Sequence, residues 1–337
     1  MLLEFDADQR LWQGTVRDAV TKACPATLIR AIAEDGADCA PLWQTYLDAG
    51  WTELSDPDNA VELAIVLEEL GHATDPTPFL ATMSQYAPLA GERFDPARAG
   101  TAVHSGVTAV RAGEGWILRG TARFVLDGDR AEQLAVVTAG NVFLIDAGAV
   151  SARRNPVFDP VLHVADLSFD DVPVPDSDRL RVDPEKAHHV ALTGMAVHMV
   201  GACQRVLDLA LEHAKTRYQF GVPIGSFQAV QHKAADMHVA IERARALSYF
   251  AALTIAADDP RRRFAAAMAK ASAGECQALV FRHGLQLFGA MGFTWENDVQ
   301  FALKRAKAGE LLLGGAAVHR EVVVAEYQKA QEPVPCS

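Results

Sequence analysis

A change of period along the chain constrains its fold more than any other feature. Up to about Gly91, apolar residues recur at helical spacing. From Thr101 to about Pro175 they alternate in short runs, and from His188 onward they return at three- and four-residue steps. A sheet needs period two and a helix about 3.6, so no one layer accommodates all three stretches. The expectation is an α+β multidomain chain. An N-terminal helical domain is assigned to 1–96, a middle antiparallel, barrel-like β domain to 97–183, a C-terminal four-helix bundle to 184–332 and a tail to 333–337.

Local signals fill in this outline. Val61, Ala64, Ile65, Leu67 and Leu70 form an amphipathic helix expected to stop at Gly71, a usual terminator. Gly115–Leu118, Ala122–Leu126, Leu134–Val137 and Val142–Ile145 read as strands bounded by Gly, Asp or Asn turns. Val230, Ala234, Met237, Ile241, Ala244 and Leu247 make one stripe of a helix over Gln228–Ala257. Further helices are expected from Arg262 to Leu287, from Asp298 to Leu313, and at the end of the chain. The tail from Gln331 reads as disordered.

Charge and cysteine usage exclude several functions. The 337 residues include 31 basic and 43 acidic side chains, and the net charge of −12 repels phosphate backbones and anionic membranes. No nucleic-acid or membrane partner is expected. The five cysteines (Cys24, Cys39, Cys203, Cys276 and Cys336) never form a C-x-x-C pair, which favours free thiols in a reducing compartment. The start of the chain lacks a basic-then-apolar leader, so a cytoplasmic location is expected. His188 and His189 point to different helix faces, and no carboxylate cluster joins them or His198, so no metal is expected.

Two turns carry the chemistry-bearing residues. Arg217-Tyr218-Gln219-Phe220-Gly221-Val222-Pro223-Ile224-Gly225-Ser226-Phe227-Gln228 places a guanidinium and two amides around a tight, glycine-containing backbone. Arg presents a planar fork suited to a pyrophosphate, and Phe can wall off a flat heteroaromatic ring. The alternative is a helix–helix turn in which Phe220 and Phe227 are plain core anchors. Gln286-Leu287-Phe288-Gly289-Ala290-Met291-Gly292-Phe293-Thr294-Trp295-Glu296 is the second turn, small enough for a ligand or another backbone to approach. Periodicity alone does not choose between these readings.

Together these residues resemble the acyl-CoA dehydrogenase family. The first turn, with His232 and Ala235-Asp236-Met237 after it, is similar to the signature R-x-x-F-G-x-x-I-x-x-F-Q…H-x-x-A-D-M. The second is similar to Q-x-x-G-(G)-x-G-F-T-x-E, with Ala290 where a second Gly is usual. Gly115 to Gly128, Leu167-Ser168-Phe169-Asp170-Asp171-Val172, Trp51 and Leu67-Glu68-Glu69-Leu70-Gly71 extend the likeness over nearly the whole chain. The resemblance implies FAD at a subunit interface and α,β-dehydrogenation of an acyl-CoA thioester. In that reaction a carboxylate takes the α-proton and the β-hydrogen leaves as hydride. It also implies that Arg217, Gln219, Phe220, Phe227, Gln228, Gln286, Gly289 and Ala290 face a neighbour's FAD.

The sequence departs from the family pattern where a subunit serves its own site. Ungapped alignment from Gly292-Phe293 puts Leu313 at the usual catalytic Glu, and a second family position for the base falls at or near Ala191. Neither side chain accepts a proton, so no catalytic residue is assigned. Loss of a positioned base costs about 10²–10⁴ in rate. Glu310 lies about one turn before Leu313 on the expected helix and is the nearest substitute. The family's T-E-P-x-x-G-S-D flavin cradle is missing from Thr101-Ala102-Val103-His104-Ser105-Gly106-Val107. Phe124-Val125-Leu126 lacks the hydroxyl of Trp-Ile-Thr, and Gly315 and Ala317 replace the usual Thr and Gln.

The resulting expectation is a non-catalytic partner subunit of a heteromeric (α2β2) acyl-CoA dehydrogenase. It would share FAD with a homologous catalytic subunit in a dimer or tetramer acting on acyl-CoA. Two-gene assemblies of the family handle sterol side-chain thioesters, so the resemblance extends to that class by analogy. Two alternatives stand beside it: a self-sufficient homo-oligomer with a relocated base, and a flavin-free scaffold.

Overall fold

The structure is a computed structural model that describes residues 4–331. The expected tail 333–337, Cys336 included, lies outside the described residues, and no disulfide joins the four described cysteines to one another.

In chain order the N-terminal elements are α1 (Ala7–Ala23), α2 (Ala26–Asp35), α3 (Ala40–Asp48), α4 (Ala60–Ala73), α5 (Phe79–Ala81) and α6 (Ala87–Ala90). The strands follow: β1 (Gly100–Val103), β2 (Val107–Ala112), β3 (Gly115–Leu126), β4 (Gln133–Thr138), β5 (Asn141–Asp146), β6 (Ser151–Arg154), β7 (Val164–Pro175) and β8 (Arg179–Leu180). Helices dominate again with α7 (Pro184–Thr216), the hairpin β9 (Tyr218–Gln219) and β10 (Val222–Pro223), α8 (Gln228–Ala256), α9 (Arg262–Phe288), α10 (Val299–Leu311) and α11 (Ala316–Gln331).

These elements pack as two compact units, and the N-terminal helical stretch contributes to both. One comprises residues 4–27, 57–75 and 192–331; the other comprises 28–56 and 76–191. In the second unit the middle region forms two four-stranded sheets rather than a closed barrel, ordered β1-β4-β5-β8 and β2-β3-β7-β6. The pairs are antiparallel except β1 with β4, which run parallel from Gly100↔Gln133 to Val103↔Val136. That exception is invisible to alternation, which gives a strand's face and not its partner's direction. Leu118, Leu134, Val136, Phe143 and Leu167 from both sheets close one apolar core.

In the first unit α7 to α10 build the helical bundle, and Cys203, Val206, Met237, Ile241, Cys276, Val280 and Leu303 fill its core. By length and composition α7 could cross a membrane, and 83% of its most apolar window is buried inside the fold. The helix expected to stop at Gly71 instead runs to Ala73, and Thr74 at φ 60° takes the left-handed cap. Gly71 serves the crossing of α4 with α7. A Cβ there would run into the His198 carbonyl oxygen, and one on Gly201 into that of Glu68. Glycine lets the two backbones touch.

Candidate functional site

Both singled-out turns lie in the bundle unit and at the same end of it. α7 runs out at Thr216, whose hydroxyl donates back to the Glu212 carbonyl at 2.9 Å. The chain then makes a two-residue hairpin, with Val222 paired to Gln219 and Pro223 to Tyr218. Its central residues, Phe220 and Gly221, both have positive φ (53° and 82°), as a primed hairpin turn requires. Glycine adopts that conformation freely; phenylalanine does so at a cost. Phe220 is 94% exposed, so no packing offsets the strain and the core-anchor alternative fails for it. Its ring meets Phe227 edge-on at 6.1 Å. A bulky residue strained and presented to solvent points to a role outside its own fold.

Polar residues flank these rings in the chain. Arg217 and Gln228 are exposed, and among the described residues neither side chain makes a hydrogen bond. Gln219 Nε2 donates only to the adjacent Tyr218 carbonyl, at 2.7 Å. The second turn begins in the last turn of α9, where Gln286 is exposed and Gly289 at φ 59° ends the helix. Ala290 is exposed, as are Met291, Phe293 and Trp295, with Phe293 at 78%. A ring stack of His213 on Phe288, 4.7 Å between centroids, brings the two turns together.

The other end of the bundle is built in the opposite way. The helix expected to reach Leu313 stops at Leu311, and Leu313 stands off it at φ 58°, followed by Gly314 at φ 90°. Lys270, 0% exposed on α9, donates to the Gly314 carbonyl at 2.7 Å and more weakly to that of Glu310 at 3.4 Å. Burial lowers its ammonium to about 8, against a smaller opposing pull from Glu310. His319 Nε2 donates to the Leu313 carbonyl at 2.9 Å. Glu310 is engaged through one oxygen: its Oε1 accepts from the Ala316 amide at 3.0 Å, capping the start of α11, while Oε2 is buried without a hydrogen-bond partner. Gly274 leaves the room that the other oxygen occupies, since a Cβ there would collide with Oε2.

Comparison with known proteins identifies the architecture. Residues 189–328 match the model of the acyl-CoA dehydrogenase C-terminal domain. Over 316 residues the chain is 33% identical to acyl-CoA dehydrogenase IpdE2 of Mycobacterium tuberculosis, covering 91% of this chain and 93% of that one. The chain belongs to the acyl-CoA dehydrogenase family. Among solved structures it resembles a chain of the ChsE4-ChsE5 complex from Mycobacterium tuberculosis, with a TM-score of 0.87 and 24% identity over 99% and 100% of the two chains. It also resembles a variant of the Tcur3481-Tcur3483 steroid ACAD, with a TM-score of 0.84 and 26% identity over 96% and 98%.

Acyl-CoA dehydrogenases use FAD, and the two units differ in how well their residues fit it. At the turn end, Arg217, Gln219, Gln228 and Gln286 offer exposed donors beside exposed rings, which suits an anionic, heteroaromatic group. In the β region the candidate cradle offers little to a flavin. Thr101 is fully buried and its hydroxyl donates to the Leu126 carbonyl at 2.6 Å. His104 is half-buried, with its Nε2 atom buried and unpartnered, and desolvation, then His188, lowers its imidazole to about 4. Phe124 stands 61% exposed at φ 55° on a bulged part of β3, with no hydroxyl to offer. Ala191 is buried on α7.

A cleft of about 560 Å³ in the bundle unit lies apart from both turns and is lined by Arg17, Glu68, Glu69, His72, Asp208 and Arg245. Its polar groups are paired internally: Arg17 with Glu69, Arg245 with Glu68, and His72 with Asp208, at 2.8, 2.8 and 2.9 Å. Tyr249 donates to the second Glu68 oxygen at 2.8 Å. Such a network fixes α4 against α1, α7 and α8 and leaves little for a ligand. Lys270, His319 and His213 were not singled out in the sequence. A lysine on the apolar stripe of an alanine-rich helix was the one signal for the first; a lone histidine beside an apolar stripe gives none.

Proposed function

We propose that this chain is the non-catalytic partner subunit of a heteromeric FAD-dependent acyl-CoA dehydrogenase. One observation carries the reading. The turn that would present the base holds Leu313 and is held by Lys270 and His319, whereas Arg217, Gln219 and Gln228 are exposed on the same turn as a strained Phe220 and Gln286 is exposed at the end of α9. Arg217 would bind the pyrophosphate of a flavin held by a catalytic subunit. Gln219, Gln228 and Gln286 would hydrogen-bond the rest of its adenosine side, with Phe220 and Phe227 shielding it from water, and Gly289 and Ala290 would allow close approach. When bound, that flavin supplies the hydride acceptor for α,β-dehydrogenation. The α-proton goes to a carboxylate of the catalytic subunit, since this chain offers Leu313 and Ala191 at the two family positions.

The likenesses to the ChsE4-ChsE5 complex and to a steroid ACAD support a two-component assembly and a bulky, polycyclic acyl-CoA. Free thiols accord with a cytoplasmic setting. A self-sufficient enzyme using Glu310 fits less well, because that carboxylate caps α11. Co-expression with a homologue bearing the catalytic Glu should yield a yellow complex holding about half a flavin per chain, the stoichiometry of a cofactor shared by two chains. A full flavin on every copy of this chain alone would defeat the reading. Protein that stays colourless with every homologue and added FAD would favour a scaffold.

A further inference from the structure

The two exposed turns are tied together by one ring contact. His213 lies one helical turn before Arg217 on α7, and its backbone carbonyl accepts the Arg217 amide at 2.9 Å. Its imidazole stacks on Phe288 at 4.7 Å between centroids and 26° between planes. Phe288 is 8% exposed, belongs to the bundle core, and lies two residues after Gln286. One face of His213 therefore rests on a rigid platform, while the arginine of the first turn is built directly onto its backbone. Burial, then the Arg217 guanidinium, lowers the imidazole below its ordinary value, so at neutral pH it stacks as an uncharged ring.

We propose that His213 is a positioning residue for the shared flavin: stacked on Phe288, it fixes Arg217 and Gln286 at one spacing, so that guanidinium and amide meet the cofactor together. The inference rests on the partner-subunit reading and adds a residue to it. His213 acts through Arg217 and Gln286. Without the stack, the end of α7 and the first turn would move independently of α9, and the two donors would lose their common geometry.

The experiment uses the co-expressed heteromeric complex and measures FAD retained after dialysis and FAD affinity by fluorescence titration. His213→Ala should weaken FAD binding about three- to tenfold, the range expected for a lost aromatic pair, and His213→Phe should stay within about twofold. If His213 acts through the two donors, His213→Ala should add nothing in an Arg217→Ala/Gln286→Ala background. Size-exclusion chromatography and thermal unfolding report assembly, and His213→Gln carries the comparison if His213→Ala does not assemble. Wild-type affinity in His213→Ala, equal losses in His213→Ala and His213→Phe, or an undiminished loss in the donor-free background would each overturn the proposal. A wild-type complex without flavin would overturn the partner-subunit reading and this proposal with it. A flavin-loaded wild type with an unaffected His213→Ala overturns this proposal alone.

Discussion

The two ends of the helical bundle, about 27 Å apart along α9 from Lys270 to Phe288 at 1.5 Å per residue, solve opposite problems. At the Leu313 end most of the strained backbone is held from within, although Glu310 Oε2 is buried without a hydrogen-bond partner. The left-handed pair Leu313–Gly314 is held by a buried lysine and a histidine, and Glu310 caps the next helix. At the Phe220 end a strained aromatic and several polar side chains are offered to solvent with little to bind in their own chain. The first end is held by contacts within the fold; the second leaves its donors and rings in solvent.

The largest expected effect breaks the comparison at its buried end. Lys270→Ala strands the Gly314 and Glu310 carbonyls and opens a cavity, and should cost about 2–4 kcal/mol of stability in chemical denaturation. Phe220→Ala should change stability by less than about 0.5 kcal/mol, as an exposed site does. Comparable losses from the two would erase the distinction.

Next in size is a pH effect from the same lysine. Its ammonium titrates near 8 when folded and near its ordinary 10.5 when unfolded. Below pH 8 both states hold the proton and the folded state bears the full cost of burying the charge. Between 8 and 10.5 the unfolded state holds more protons, so this group makes stability rise with pH, by on the order of 3 kcal/mol. Denaturation curves of wild type and Lys270→Met across that window should differ by this slope. Parallel pH profiles would show that Lys270 does not titrate there.

Arg217→Ala sharpens the comparison from the open end. Removing a charge-assisted donor should reduce FAD retention in the heteromeric complex about 10- to 100-fold while leaving the melting temperature unchanged. Loss of stability without loss of flavin would assign Arg217 to the fold instead. The smallest expected effect is none: Leu313→Glu should give no flavin bleaching by acyl-CoA in the lone chain, since a carboxylate at that turn restores no flavin cradle in the β region. Bleaching in that variant would show that the lone chain holds a flavin and needs only a carboxylate at that turn.

Much of this was legible in the sequence, for identifiable reasons. The helices over Gln228–Ala256 and Arg262–Phe288 and the strands β4 and β5 follow from apolar period, a local property. The signature residues of the two turns are contiguous and so were found as motifs. The misses depended on pairing or approach. Gly71 is a usual terminator by composition, and only the crossing with α7 explains why the helix passes through it. The end of α10 at Leu311, which takes Leu313 off Glu310's helix, reflects the demand of Lys270, His319 and the start of α11 for that carbonyl-rich turn.

The sequence by itself determined which stretches are helix and which are strand, that Leu313 and Ala191 carry no ionisable group, and which side chains populate the two turns, because each depends on residue identity and short-range spacing. Tertiary structure alone decided that β1 runs parallel to β4, that the turns share one end through His213 and Phe288, and that Phe220 faces solvent while Lys270 does not. Those outcomes rest on which distant surfaces exclude water from each other, and a linear pattern carries no record of that.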